Sequence, residues 1–116
     1  MLGLLGAACD SQLPVEPRVC TAIAVEALNI TVADAVTGRR LCDAVVTVTD
    51  GGFSAELRRF GGASDCVHTG PTERPGRYDV RAMQPGYEAA VRLAVTVTAD
   101  ECHVIPVSLT IPLAAR

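Results

Sequence analysis

The stretch ALNITVADAVTGRRLCDAVVTVTD, residues 27–50, decides the fold of this chain. Large apolar side chains alternate with polar or small ones over residues 28–32, and the alternation resumes over residues 44–48. A period of two predicts half-buried β-strands, because successive side chains of a strand point to opposite faces. Residues 37–40, TGRR, separate the two runs and predict a turn, since Gly38 adopts positive φ without steric penalty.

The rest of the chain continues this pattern, and no window has a helical period. Turn signals divide it into further predicted strands at residues 53–60, 66–68, 78–82, 91–97 and 103–113. The last of these contains Pro106 and Pro112, which lack a backbone donor and therefore predict a sheet edge. The sequence thus predicts an all-β chain folded as a β-sandwich of six or seven strands.

The predicted core follows from the same alternation. It consists of Leu28, Ile30, Val32, Ala44, Val46, Val48, Tyr78, Val80, Leu93, Val95, Val97, Val107, Leu109 and Ile111.

Length and composition exclude several classes of function. The chain has 116 residues, of which 49% are hydrophobic, and this is enough to bury the core of one domain. Its net charge is −3 and its ten Lys and Arg residues are scattered, so no nucleic-acid partner is predicted. No glycine-rich loop joins a strand to a helix, and no cofactor is predicted.

Five cysteines indicate a disulfide framework with one cysteine left over. None forms a Cys-x-x-Cys pair, which disfavours a zinc site, and disulfides imply an oxidising compartment. If the second and third strands form an antiparallel hairpin, Cys42 at the start of one lies beside Cys66 after the other. Cys20 and Cys102 are then the remaining pair, and Cys9 is the odd cysteine.

The sequence contains two histidines, and either could serve as the base of a nucleophilic site. His68 and His103 each lie within two residues of a cysteine, Cys66 and Cys102 respectively. If these cysteines are oxidised, neither supplies a thiolate, so no catalytic residue and no metal site is predicted. The alternative is a small hydrolase or a metal-binding protein that uses His68 or His103.

Residues 1–9, MLGLLGAAC, resemble the end of a bacterial lipoprotein signal peptide. Small residues precede Cys9 there, and polar residues follow it at once. The resemblance implies that Cys9 is acylated and holds the protein to a membrane. Residues 10–25 contain two prolines and are expected to form a tether.

An ordered set of motifs resembles the carboxypeptidase regulatory-like domain. ITVAD (residues 30–34) is followed by the Thr-Gly turn and LCDAVVTV (41–48), and later by PGRYDV (75–80) and PGY (85–87). The resemblance covers residues 26–113 and implies a seven-stranded transthyretin-like β-sandwich. In larger proteins such domains are accessory modules, so it implies a fold and a location and no reaction.

These observations lead to one functional expectation. The chain is expected to be a non-catalytic structural or interaction module of the bacterial cell envelope, periplasmic or on the cell surface. It is expected to be anchored to the membrane by lipid and to bind a protein or glycan partner through its loops.

Overall fold

The computed structural model describes residues 19–62 and 65–116. In this part of the chain there are eight β-strands and no helix, and therefore no helical segment that would cross a membrane. The strands are β1 (Glu26–Asp34), β2 (Val45–Asp50), β3 (Phe53–Glu56), β4 (Arg58–Phe60), β5 (Val67–Thr72), β6 (Gly76–Met83), β7 (Ala90–Val97) and β8 (Val107–Leu113).

Two four-stranded sheets form the sandwich. The first has the order β4-β5-β1-β8 and the second the order β3-β2-β6-β7. Neighbours are antiparallel except β1 and β8, which run parallel with Leu28 opposite Val107. Strand β8 lies at an edge of the first sheet, as Pro106 and Pro112 predict.

The described residues form eight strands because the predicted third strand is divided between the two sheets. Strand β3 pairs with β2, whereas β4 pairs with β5 in the other sheet. Leu57 lies between them, is buried, and donates its backbone N–H to the carbonyl of Val46 at 2.8 Å. At this buried leucine the chain passes from the second sheet to the first. The alternating pattern of the sequence does not indicate this crossing.

The core between the sheets consists mainly of the predicted residues. The buried members are Leu28, Ile30, Val32, Ala44, Val46, Val48, Tyr78, Val80, Val97 and Ile111, and Val95, Val107 and Leu109 are partly buried. Leu93 was predicted to be buried but is 72% exposed, because β7 contains an extra residue opposite β6. The core also contains six residues that are absent from the predicted set: Ala27, Leu41, Leu57, Ala82, Val104 and Leu113.

Tyr78 closes one end of the sandwich. Its hydroxyl donates to the backbone carbonyl of Arg74, four residues earlier, and the Arg74 guanidinium donates to Asp50 Oδ2 at 3.1 Å. The same guanidinium lies 3.8 Å above the ring of Phe53. A buried tyrosine whose hydroxyl returns to the backbone a few residues upstream is a recurrent corner of β-sandwiches. It satisfies the polar end of a ring that is otherwise entirely in the core.

Two disulfides stabilise the fold. Cys20–Cys102 and Cys42–Cys66 have Cα separations of 5.3 and 5.6 Å, and these are the two pairs expected from the sequence. The hairpin argument for the second pair is wrong, however. Cys42 lies in the connection before β2 and Cys66 lies directly before β5, so neither cysteine is part of the β2–β3 hairpin. Both bridges fit an oxidising, extracytoplasmic compartment.

Candidate functional site

The two histidines lie in different surroundings. His68 belongs to β5, is 2% exposed and pairs with Ile30, and neither of its ring nitrogens has a hydrogen-bond partner among the described residues. His103 lies between β7 and β8 and lines a surface cleft of about 440 Å³, to which His68 does not contribute. In the described ranges, no three His, Cys, Asp or Glu side chains are grouped as metal ligands.

The cleft is formed by two segments that the Cys20–Cys102 disulfide joins. Residues 21–24 line one side and residues 99–104 line the other, with Glu73 between them. Asp100 shapes the second segment, because its Oδ1 accepts the backbone N–H groups of Cys102 at 2.8 Å and His103 at 2.9 Å. This turn, together with the bridge, fixes the position of the His103 ring.

Three side chains form a hydrogen-bonded series in this cleft. His103 Nδ1 lies 2.5 Å from Glu73 Oε2, and His103 Nε2 lies 2.9 Å from the hydroxyl of Thr21. When Nδ1 carries the proton and donates to Glu73, Nε2 accepts the hydroxyl proton of Thr21. The series therefore runs from carboxylate to imidazole to hydroxyl.

Glu73 also holds the surrounding backbone. Its carboxylate accepts the N–H groups of Val25 at 3.0 Å and Val104 at 3.1 Å. The hydrogen bond from His103 is the main cause that lowers the pKa of this carboxyl below its ordinary value, so Glu73 is ionised at neutral pH. Its φ of 50° lies in the left-handed region, which costs energy for a residue with a side chain.

This arrangement allows two kinds of chemistry. A carboxylate, an imidazole and a hydroxyl in this order activate the hydroxyl as a nucleophile, because the imidazole removes its proton while the carboxylate orients the ring. The same contacts also attach the segment before β1 to the loop after β7, which is a structural role. Of the three residues, sequence reasoning identified His103 and missed Thr21 and Glu73.

The missed contacts are distant in sequence. Thr21 and His103 are separated by 82 residues, and Glu73 and His103 by 30. One signal for the first contact exists. Thr21 follows Cys20 and His103 follows Cys102, so a predicted Cys20–Cys102 bridge already brings these two neighbours together.

A second polar cluster lies at the far end of β1. Asp34 Oδ1 accepts the backbone N–H groups of Val36 at 2.8 Å and Thr37 at 2.9 Å, and Asp34 Oδ2 accepts the hydroxyl of Tyr87 at 2.8 Å. These hydrogen bonds, with that from Thr37 the largest cause, lower the pKa of Asp34 to about 2. The bond to Asp34 is the main cause that raises the pKa of Tyr87. Arg39 donates to the Tyr87 hydroxyl at 3.3 Å.

The remaining predicted site residue is Cys9, which lies outside the described residues. No protein-family profile matches the chain, and no curated protein matches its sequence significantly.

Proposed function

We propose that this protein is a non-catalytic module of the bacterial cell envelope, attached to a membrane by lipid on Cys9, that binds a protein or a glycan. The observation that supports this most directly is the position of the Cys20–Cys102 disulfide. It fixes the chain covalently to the sandwich at the point where the segment that follows Cys9 reaches it. A pull on the anchor is then borne by a covalent bond and not by the hydrogen bonds of β1.

We also propose that the sandwich is a transthyretin-like fold of the carboxypeptidase regulatory-like type. The residues that carry this resemblance meet in one cluster. Asp34 follows the ITV motif, Thr37 belongs to the Thr-Gly turn, and Tyr87 ends the PGY motif, and all three are hydrogen-bonded together. Motifs that are separate in sequence thus share one structural role, which supports reading them as an ordered set.

Partition into detergent tests the anchor. The chain expressed behind a complete lipoprotein signal sequence is expected to enter the detergent phase, because the several acyl chains of a mature lipoprotein bind a membrane firmly. Cys9→Ser removes the acylated thiol and is expected to leave the protein in the aqueous phase. A Cys9→Ser variant that stays in the detergent phase contradicts the proposal.

A second candidate function rests on the Glu73–His103–Thr21 series alone. In an ester hydrolase, Thr21 Oγ1 attacks the carbonyl carbon and its proton passes to His103 Nε2. The alcohol then leaves with that proton. Water next attacks the acyl-threonine and gives a proton to His103. His103 then returns this proton to Thr21 Oγ1 as the acid departs. The cleft beside these groups is within the usual size of ligand sites.

Hydrolysis of p-nitrophenyl acetate distinguishes the two functions. For a hydrolase, the wild type exceeds the buffer rate, Thr21→Ser keeps the hydroxyl and much of the rate, and Thr21→Val abolishes it. Thr21 is exposed, so its replacement does not endanger folding. Equal rates for the wild type and Thr21→Val eliminate the hydrolase and leave the series with a structural role.

A further inference from the structure

The outer face of the first sheet has an unusual composition. Its middle positions carry short uncharged polar side chains, which we call the hydroxyl face: Asn29, Thr31, Thr69, Ser108 and Thr110. Asn29 lies at the centre, since it pairs with Thr69 on one side and with Ser108 on the other. Thr31 pairs with Thr110 in the next row.

Two clefts lie on the hydroxyl face. One cleft of about 360 Å³ is lined by Asn29 and Thr69 together with residues of β4. Another of about 190 Å³ is lined by Asn29 and by the hydroxyl residues of β1 and β8, with the apolar Val67 and Leu109 beside them. Because Asn29 lines both, the two clefts adjoin and form a groove across the strands. Three strand spacings of about 4.8 Å make it long enough for an extended ligand.

The polar groups of this groove are available to a ligand. Within the described ranges, the side chains of Asn29, Thr31 and Thr69 make no hydrogen bond to another protein group. The outer face of the second sheet differs, because charged side chains occupy it, among them Arg77, Asp79 and Arg81. Long charged side chains keep a surface solvated, whereas short hydroxyl and amide groups offer donors and acceptors near the backbone.

An aromatic ring and two arginines with carboxylate partners border the groove. Phe60 on β4 is 74% exposed and lines the larger cleft. Its ring gives the groove an apolar surface next to the polar groups. Arg58 and Arg59 line the same cleft, and each has a carboxylate partner, since Arg58 lies 3.8 Å from Glu26 and Arg59 lies 3.6 Å from Asp43.

We propose that this groove binds an uncharged oligosaccharide. Sugar hydroxyls act as donors and acceptors at once, which matches a row of hydroxyls and an amide. The C–H face of a sugar ring is apolar and packs on an exposed aromatic ring. An anionic ligand must compete with Glu26 and Asp43 for the two arginines of this cleft, whereas a neutral ligand does not. This inference rests on the proposed interaction module, whose partner it narrows from protein or glycan to a neutral glycan.

Affinity electrophoresis of the full chain carrying Cys9→Ser tests the groove. The gels contain neutral polysaccharides (β-glucan, mannan and xylan) or, separately, acidic polygalacturonate. At least one neutral polysaccharide is expected to retard the protein, and polygalacturonate is expected to leave it unretarded. Phe60→Ala is expected to weaken binding by about tenfold, equivalent to about 1.4 kcal/mol. Asn29→Ala is expected to weaken it by a similar or smaller factor.

Leu93→Ala is the matched control, because Leu93 is an equally exposed apolar residue on the other sheet and is expected to leave binding unchanged. Absence of retardation by all three neutral polysaccharides, or retardation that survives Phe60→Ala, overturns the inference. Detergent partition of the acylated protein is measured separately. An anchored protein that binds no neutral glycan refutes the groove alone, whereas retardation without anchoring refutes the lipid anchor alone.

Discussion

Strands β1 and β7 are built from similar residues, yet they lie differently in the sandwich. Strand β1 is paired on both sides, with β5 and β8, and its Leu28, Ile30 and Val32 all face the core. Strand β7 is paired only with β6, and its Leu93 faces solvent. An inserted residue is tolerated at an edge, because only one ladder must adjust to it.

The register identifies the insertion. Val95 of β7 lies opposite Tyr78 and Arg92 lies opposite Val80, so three steps along β7 match two along β6. Ala94 takes a φ of 57°, and its N–H is accepted by Asp79 Oδ1 at 3.0 Å. Side chains of β7 that precede the bulge therefore point to the opposite face from the one that strict alternation predicts, and Leu93 points to solvent. Alternation therefore reports burial only where the ladder is continuous.

Charge substitution at matched leucines gives the largest expected effect. Leu28→Asp places an unpaired carboxylate in the core and is expected to prevent folding, because its cost approaches the whole stability of a small domain. Leu93→Asp is expected to change stability by about 1 kcal/mol or less, since this side chain is already in water. Circular dichroism and urea unfolding of both variants measure the difference. An unfolded Leu93→Asp protein contradicts the bulge.

Loss of a disulfide is expected to have the next largest effect on the free energy of unfolding. Cys20–Cys102 connects the segment before β1 with the turn after β7. It closes a longer loop than Cys42–Cys66, with sequence separations of 82 and 24 residues. The chain-entropy relation then gives about 4.6 kcal/mol for the first bridge and about 3.5 kcal/mol for the second. Urea unfolding of the Cys20→Ser/Cys102→Ser and Cys42→Ser/Cys66→Ser proteins measures both losses. A larger loss from the second pair shows that the Cys42–Cys66 bridge also stabilises the native state.

The same contrast explains what sequence reasoning predicts here. The facing of β1 and β2 follows from alternation. Both cysteine pairs were also expected from the sequence, but the hairpin argument for Cys42–Cys66 is wrong. The crossing at Leu57 and the bulge at Ala94 could not be predicted from the sequence. Each shifts the strand by a single residue and leaves no signal in the alternating pattern. Glu73 escapes prediction for another reason. Its partners include Val25, 48 residues earlier in the chain, and His103, 30 residues later, and only folding brings them together.

Acid unfolding tests Asp34, the last residue of β1, whose carboxylate accepts hydrogen bonds from the turn that follows. The pKa of Asp34 is about 2 in the folded protein against an ordinary value of 3.8. Its contribution to stability is therefore complete above about pH 3.8 and is lost as the pH falls towards 2. Asp34→Asn is expected to be less stable than the wild type at neutral pH, with a difference that narrows over this interval. Tyr87→Phe removes one of the bonds that lower the pKa and is expected to show part of the same behaviour.

A pair of glycine substitutions in β7 tests the bulge with opposite signs. Ala94 occupies the left-handed region, which costs about 1–2 kcal/mol for a residue with a Cβ atom, and glycine removes this cost. Glycine also makes the unfolded chain more flexible, which returns about 0.4–1 kcal/mol. Ala94→Gly is therefore expected to stabilise the protein by roughly 0.5 kcal/mol.

Ala90 is the control for this substitution, because it lies in the regular part of the same strand opposite Ala82. Glycine there relieves no strain and loses a side chain that packs against the core, so Ala90→Gly is expected to destabilise by about 0.5–1 kcal/mol. Thermal and urea unfolding of the two variants against the wild type measure the signs. If both glycines destabilise, Ala94 does not adopt the left-handed conformation and β7 has no bulge. If Ala94→Gly stabilises and Ala90→Gly destabilises, the left-handed conformation of Ala94 is confirmed, and with it the bulge that turns Leu93 outward.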